Sequence, residues 1–220
     1  MSDTFFREVN QEMRQAKAQA LWTRFGTLLI LAAVLIVLAT GGWVLYDRWS
    51  TNRANASGDQ FSQALQLASE GKTDEAAALL QTLESDGVGA YPLLARMRMA
   101  TVLAQKGDFA GAVAAFDQVS ADGAIPQGLR DLATLRAAII LVDHGSYADV
   151  EARVAVLNNE TNPLRHSARE VLALAAWKEN RPADALPLFE QLRDEQAVPG
   201  NLRQRAGLMA DLIRGSGVGE

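Results

Sequence analysis

The chain has no cysteine, only two histidines (His144 and His166), and aromatic side chains make up just 6% of its 220 residues. Without cysteine there are no disulfide staples, no thiolate metal ligands or nucleophile, and no acylated lipoprotein cysteine. His144 falls in the last turn of a predicted helix, where a cation meets the dipole favourably, and Ser146 beside it completes no triad. No HExxH, P-loop, GxSxG or Rossmann glycine pattern occurs. The doublets Asp74-Glu75 and Asp194-Glu195 read as solvated helix surface. The expectation is therefore a protein that is not an enzyme and has no cofactor, metal or small-molecule substrate. Positive charge is scarce as well. Residues 1–49 hold five Lys/Arg against four Asp/Glu, and residues 50–220 hold 16 against 22, so the larger segment nets about −6. An acidic domain without clustered Lys/Arg cannot neutralise phosphates, which argues against nucleic acid. Runs of β-branched residues are few, while alanine and leucine abound, which favours helix throughout.

Charge is missing altogether from Phe25 to Tyr46. As a helix those 22 residues reach roughly 33 Å, enough to cross a hydrocarbon core of about 30 Å. Trp22 and Phe25 at one end, and Trp43, Tyr46 and Trp49 at the other, are placed as interfacial anchors. Arg14, Lys17 and Arg24 precede the run and Arg48 and Arg53 follow it, a bias that puts the N-terminus in the cytoplasm and the rest outside. The segment before the run reads as a mixed-charge helix with Thr4 as candidate N-cap and a thin stripe of Phe5, Val9, Met13 and Leu21. That stripe suits a solvated extension of the span better than a helix lying on the membrane. The rival to an anchor is a signal peptide cleaved near Ala39-Thr40-Gly41. The long acid-containing leader, and apolar residues continuing through Trp43 to Tyr46, speak for the anchor. The span contains no GxxxG pattern for helix pairing. The expected division is a cytoplasmic tail (1–24), a span (25–46), a linker (47–57, as loop or continued helix), a helical domain (58–214) and a frayed end (215–220).

Beyond the linker, a turn and the helix after it recur four times: GKTDEAAALLQTL from Gly71, GDFAGAVAAFDQV from Gly107, GSYADVEARVAVL from Gly145 and NRPADALPLFEQL from Asn180. The starts are 36, 38 and 35 residues apart. Seven residues before each turn residue stands an alanine: Ala64, Ala100, Ala138 and Ala173. Five residues after it come Ala76, Ala112, Val150 and Ala185, and four further on Leu80, Phe116, Val154 and Phe189. Small residues let paired helices approach and the large ones plug the space between pairs. The turn residue is expected in a left-handed conformation, which suits Gly and tolerates Asn. Period and alternation resemble the tetratricopeptide repeat family over about residues 58–199. The predicted fold is all-α: one transmembrane helix, then an α-solenoid of about four helix pairs with a closing helix over 200–214. There Leu202, Leu208, Leu212 and Ile213 would cover the open end.

In such a stack the first helix of each pair lines the concave face. The resemblance puts Phe61 and Leu65 there, then Leu94, Met97, Thr101 and Ala104, then Leu132, Leu135, Ile139 and Val142, then Ser167, Glu170, Leu174 and Trp177. Leu94, Met97, Leu132, Leu135, Ile139, Val142, Leu174 and Trp177 form a candidate partner-binding groove. A helix as apolar as LRDLATLRAAIILVD either receives an apolar protein segment or is covered by the protein itself.

The order of segments, with ALWTRFG (Ala20–Gly26) entering the span, Tyr91–Val119, Leu129–Asp143 and Arg169–Leu186, resembles the YfgM family of bacterial inner-membrane proteins, in its alphaproteobacterial form. The resemblance implies an accessory subunit of the Sec translocon that hands exported chains to periplasmic chaperones, with no catalytic residues. The alternative is a structural scaffold for an envelope assembly or division complex.

Overall fold

In a computed structural model residues 2–217 are described, and among them only helices and turns occur. The chain divides into two units, residues 1–55 and 56–220. The described residues of the first, 2–55, lie in helix α1, Ser2–Ser69. The stretch expected as a linker (47–57) is therefore helical throughout. Nothing in it breaks a helix: STNRANAS has no proline, and its alanines and arginine are good helix formers. Thr4 lies inside α1 rather than capping it. The side chains of the tail stripe and of Phe25 lie outside the described residues. Trp22, Trp43, Tyr46 and Trp49 are exposed along the helix. The portion Gly26–Ser69 contains a window long and apolar enough to cross a membrane, and none of that window is buried.

The second unit continues with α2 (Thr73–Asp86), α3 (Tyr91–Gln105), α4 (Phe109–Ala121), α5 (Gln127–His144), α6 (Tyr147–Val154), α7 (Arg165–Lys178), α8 (Pro182–Asp194) and α9 (Gly200–Gly215). Consecutive helices from α2 onward pack on one another, except that α6 is short and α5 also packs directly on α7. The small residues sit at the contacts. Ala64, Ala100, Ala138 and Ala173 are fully buried, as are Ala76, Ala112, Val150 and Ala185. Leu80, Phe116, Val154 and Phe189 fill the spaces between helices. Three apolar clusters result: one from α1 to α3 around Leu80 and Leu83, one from α3 to α5 around Phe116, and the largest from α5 to α9 around Phe189.

Three of the four turns share one mechanism. Gly71, Gly107 and Asn180 have φ of 79°, 82° and 54°. In each, the next residue's N–H reaches back five residues: Lys72 to the Leu67 carbonyl at 2.9 Å, Asp108 to Leu103 at 3.0 Å and Arg181 to Ala176 at 2.9 Å. That bond satisfies a carbonyl orphaned at the helix end, and only a left-handed residue permits it.

Gly145 departs from this expectation. Its φ is −132° and ψ −164°, an extended conformation open to any residue. The cause lies one residue on. Ser146 caps α6 by accepting from the Asp149 N–H at 3.2 Å, while the Ser146 N–H donates to the Asp149 carboxylate at 3.1 Å. This capping box starts α6 at once and leaves no room for a left-handed residue. A Cβ at Gly145 would lie 2.6 Å from Leu141 Cδ2, the movable end of a side chain, and 3.2 Å from the Leu141 carbonyl oxygen, so a side chain there asks for a shift of Leu141.

The third repeat is irregular beyond its turn as well. α6 stops after eight residues, and a polar loop follows to Leu164. Asn159 and Asn162 side chains accept from the Thr161 and Leu164 N–H groups at 3.2 and 2.8 Å, local turns that compete with helix. At the C-terminal end α9 buries Leu202, Ala206, Ala210 and Ile213, but Leu208 and Leu212 face outward, 66% and 55% exposed. The expectation that all four apolar residues close the stack is thus corrected. At 3.6 residues per turn, 208 and 212 share a stripe that 202, 206 and 213 do not occupy. Of the end expected to fray, Gly215 is the last residue of α9, and residues 218–220 lie outside the described residues.

Candidate functional site

The second unit carries an apolar cavity of about 410 Å³ between α3 and α5. Thr101 and Ala104 form one wall, and Leu132, Leu135, Ile139 and Ile140 the other. Phe116, from α4, forms the floor, and Arg136 stands at the edge. α3 and α5 each pack extensively on α4, and α5 also lies against α7. Thr101 and Ala104 are too short to close the cavity.

The groove residues expected from the sequence divide into three groups. Leu132, Leu135 and Ile139 line the cavity. Ile139 is 50% exposed at its mouth, while Leu135 is only 6% exposed and forms its inner wall. Leu94 is 40% exposed on α3, and Met97 beside it is half-buried against the Phe116 cluster. Val142, Leu174 and Trp177 are half-buried and pack on the large cluster instead, because α5 and α7 touch there and leave no gap. α9 packs on α8 and leaves the α3–α5 groove uncovered.

A second cavity of about 410 Å³ lies at the irregular turn, between α4, α5 and α6. His144 stacks on Phe109 there, ring centroids 3.4 Å apart, and Arg153 bridges Asp117 at 2.8 Å. With the turn tightened at Gly145 and α6 cut short, this space is left by the local geometry. Its walls mix ion pairs with apolar surface, which makes it a poorer seat for an apolar ligand than the α3–α5 groove.

Buried polar residues tie the irregular loop down. Arg169, on α7, donates to Asn158 Oδ1 at 2.8 Å, Glu160 Oε1 at 3.0 Å and Glu195 Oε2 at 3.1 Å. Asp131, on α5, accepts from Gln127 at 2.6 Å and from Asn162 at 2.8 Å. These residues escape a reading based on apolar period. The available signal is that Arg169 precedes the buried Ala173 by four residues and so shares its face.

His166 is buried beside this network, and neither ring nitrogen has a hydrogen-bond partner among the described residues. Burial pushes its pKa below the usual value, against the pull of Glu195 at 3.7 Å and Glu160, and Arg165 and Arg169 push the same way as burial. The neutral ring is therefore the form that fits. An unfolded chain takes up a proton near pH 6.5 and the folded chain only at lower pH, so stability is full above 6.5. It is lost as pH falls from there through the folded value. Thermal melts of the full-length protein between about pH 7.5 and 5.5 are expected to show a falling Tm. His166→Gln is expected to flatten that slope. An unchanged slope would exclude His166 as its source.

The tetratricopeptide repeat-like domain family matches residues 19–161, more than half of the chain, and the chain belongs to that family. Domains of this kind are typically protein-interaction modules. The match begins before the apolar run and ends in the loop that precedes α7. No curated protein and no solved structure matches the chain.

Proposed function

We propose that this chain is a non-enzymatic protein-binding module, tethered by Phe25–Tyr46 to a bacterial inner membrane with its repeat domain in the periplasm. There it acts as an accessory subunit of the Sec translocon and passes exported chains to periplasmic chaperones. The observation that carries the reading is the apolar groove floored by Phe116 and left uncovered, in a chain that also bears an uncharged, spanning-length helix segment. The groove has room for one or two apolar side chains of a partner, so a single contact is weak. Tethering offsets this by raising the effective concentration of passing segments.

The test is photocrosslinking of the full-length protein in intact membranes from Ile139 and Leu94, both exposed. Adducts with translocon subunits and with many exported chains are expected. Absence of both, with expression intact, would overturn the reading. The exposed pair Leu208 and Leu212 favours a second reading, a scaffold for an envelope assembly or division complex. That reading requires one discrete adduct, formed from the α9 positions and not from Ile139.

A further inference from the structure

The groove between α3 and α5 has a cation at its edge that the described residues leave unneutralised. Arg136 follows Leu135 on α5, lines the cavity, is exposed, and forms no ion pair among the described residues. Seven other arginines of the domain are in ion pairs, while Arg98, Arg130, Arg165 and Arg203 form none among the described residues, and of the unpaired ones Arg136 alone lines the groove. Arg96 pairs with Asp122 at 2.8 Å, Arg153 with Asp117 at 2.8 Å, Arg181 with Asp184 at 2.8 Å and Arg205 with Glu170 at 2.9 Å. Carboxylates are in excess over residues 50–220, 22 against 16 Lys/Arg, so Arg136 is not alone for want of acids. Arg98 stands 38 residues earlier, the same displacement that separates Gly107 from Gly145, and so holds the equivalent place on α3. It forms no ion pair among the described residues either, and its Nε is buried without an acceptor. A guanidinium presents a planar fork of donors that matches a carboxylate. At the lip of an apolar groove such a pair forms partly out of water, where it is stronger than on an open surface.

We infer that the groove selects protein segments in which an apolar anchor is accompanied by a side-chain carboxylate, the anchor entering over Phe116 and the carboxylate pairing with Arg136. This rests on the reading of the groove as a protein-binding site and adds the chemistry of its partner. Charge supports it from the other side as well. A segment carrying Lys or Arg beside its anchor meets Arg136 at close range, whereas an acidic one relieves the unpaired charge.

The experiment uses full-length protein in detergent and three short peptides with amidated C-termini, labelled with a neutral fluorophore. They share one Leu-Phe anchor and differ at a single neighbouring position, Glu, Gln or Lys. The Glu peptide is expected to bind about tenfold more tightly than the Gln peptide, and the Lys peptide more weakly than either. Arg136→Gln is expected to bring the Glu peptide to the level of the Gln peptide. Arg136 is exposed and outside every ion pair of the described residues, so this variant folds as the parent does. Equal binding of all three peptides would overturn the carboxylate preference and leave the groove as a protein site. A preference that survives in Arg136→Gln would overturn the role of Arg136. Binding of none would overturn both the preference and the groove reading.

Discussion

Phe116→Ala is expected to lower the stability of the repeat domain by about 3–5 kcal/mol and to abolish capture of apolar segments in the groove. Phe116 is 2% exposed and sits among Ala100, Val113, Val119, Ala133 and Ala137. The alanines among these cannot reach into the space of the missing ring, and how far Met97 and Leu141 move into it decides where in that range the cost falls. The same ring floors the groove, so an anchor from a partner loses the surface on which it rests. Phe189→Ala is the matched control. Phe189 holds the corresponding place in the fourth repeat, is 1% exposed, and lies in the large cluster away from the groove. Urea unfolding should show comparable losses for both, with peptide binding lost only for Phe116→Ala. A loss below about 1 kcal/mol for Phe116→Ala would contradict the packing described.

Arg169→Ala is expected to cost about 2–4 kcal/mol and to loosen residues 155–164 more than the rest of the domain. The guanidinium is buried and joins two carboxylates and an amide that belong to different segments. Glu160 is largely exposed and returns to water at little cost. Glu195 is less exposed, so it carries most of the penalty when its partner leaves. Arg169→Met with Glu195→Gln should recover some of the loss, because it removes the stranded charge while keeping the volume. Hydrogen exchange at Asn158–Asn162 reads the local effect. Protection there equal to that of the parent would show that the loop is held by Asp131 and Asn162 alone.

The repeat was legible because packing imposes it directly on the residues. A helix pair in close contact has room only for a small side chain at Ala64, Ala100, Ala138 and Ala173, and only one turn in the helix places the matching residue opposite. The third repeat was not legible in the same way. Gly145 stands where Gly71 and Gly107 stand, and its conformation was decided by Ser146 and Asp149, whose capping box no period records. The groove was legible in its walls, since Leu132, Leu135 and Ile139 follow from helix register. Which portion of the face stays open depends on the distance between α3 and α5 as against α5 and α7. The loop after the short α6, beside the α5–α7 contact, is held by Arg169 and Asp131, charged residues at positions where periodicity leads one to expect apolar ones.

The three separate apolar clusters bear on the order in which the protein acquires its structure. The first cluster draws its buried residues from between Ala64 and Val102, and the second from between Ala100 and Ala137. Each is complete before the chain reaches α7. A chain delivered from its N-terminus can therefore close its first core while most of the last is still to come, since the buried residues of that core all lie between Ala64 and Val102. The largest core, from Leu135 to Ile213, has to wait for the final helix. The groove draws on both, since its floor, Phe116, belongs to the second core and its inner wall, Leu135, to the last.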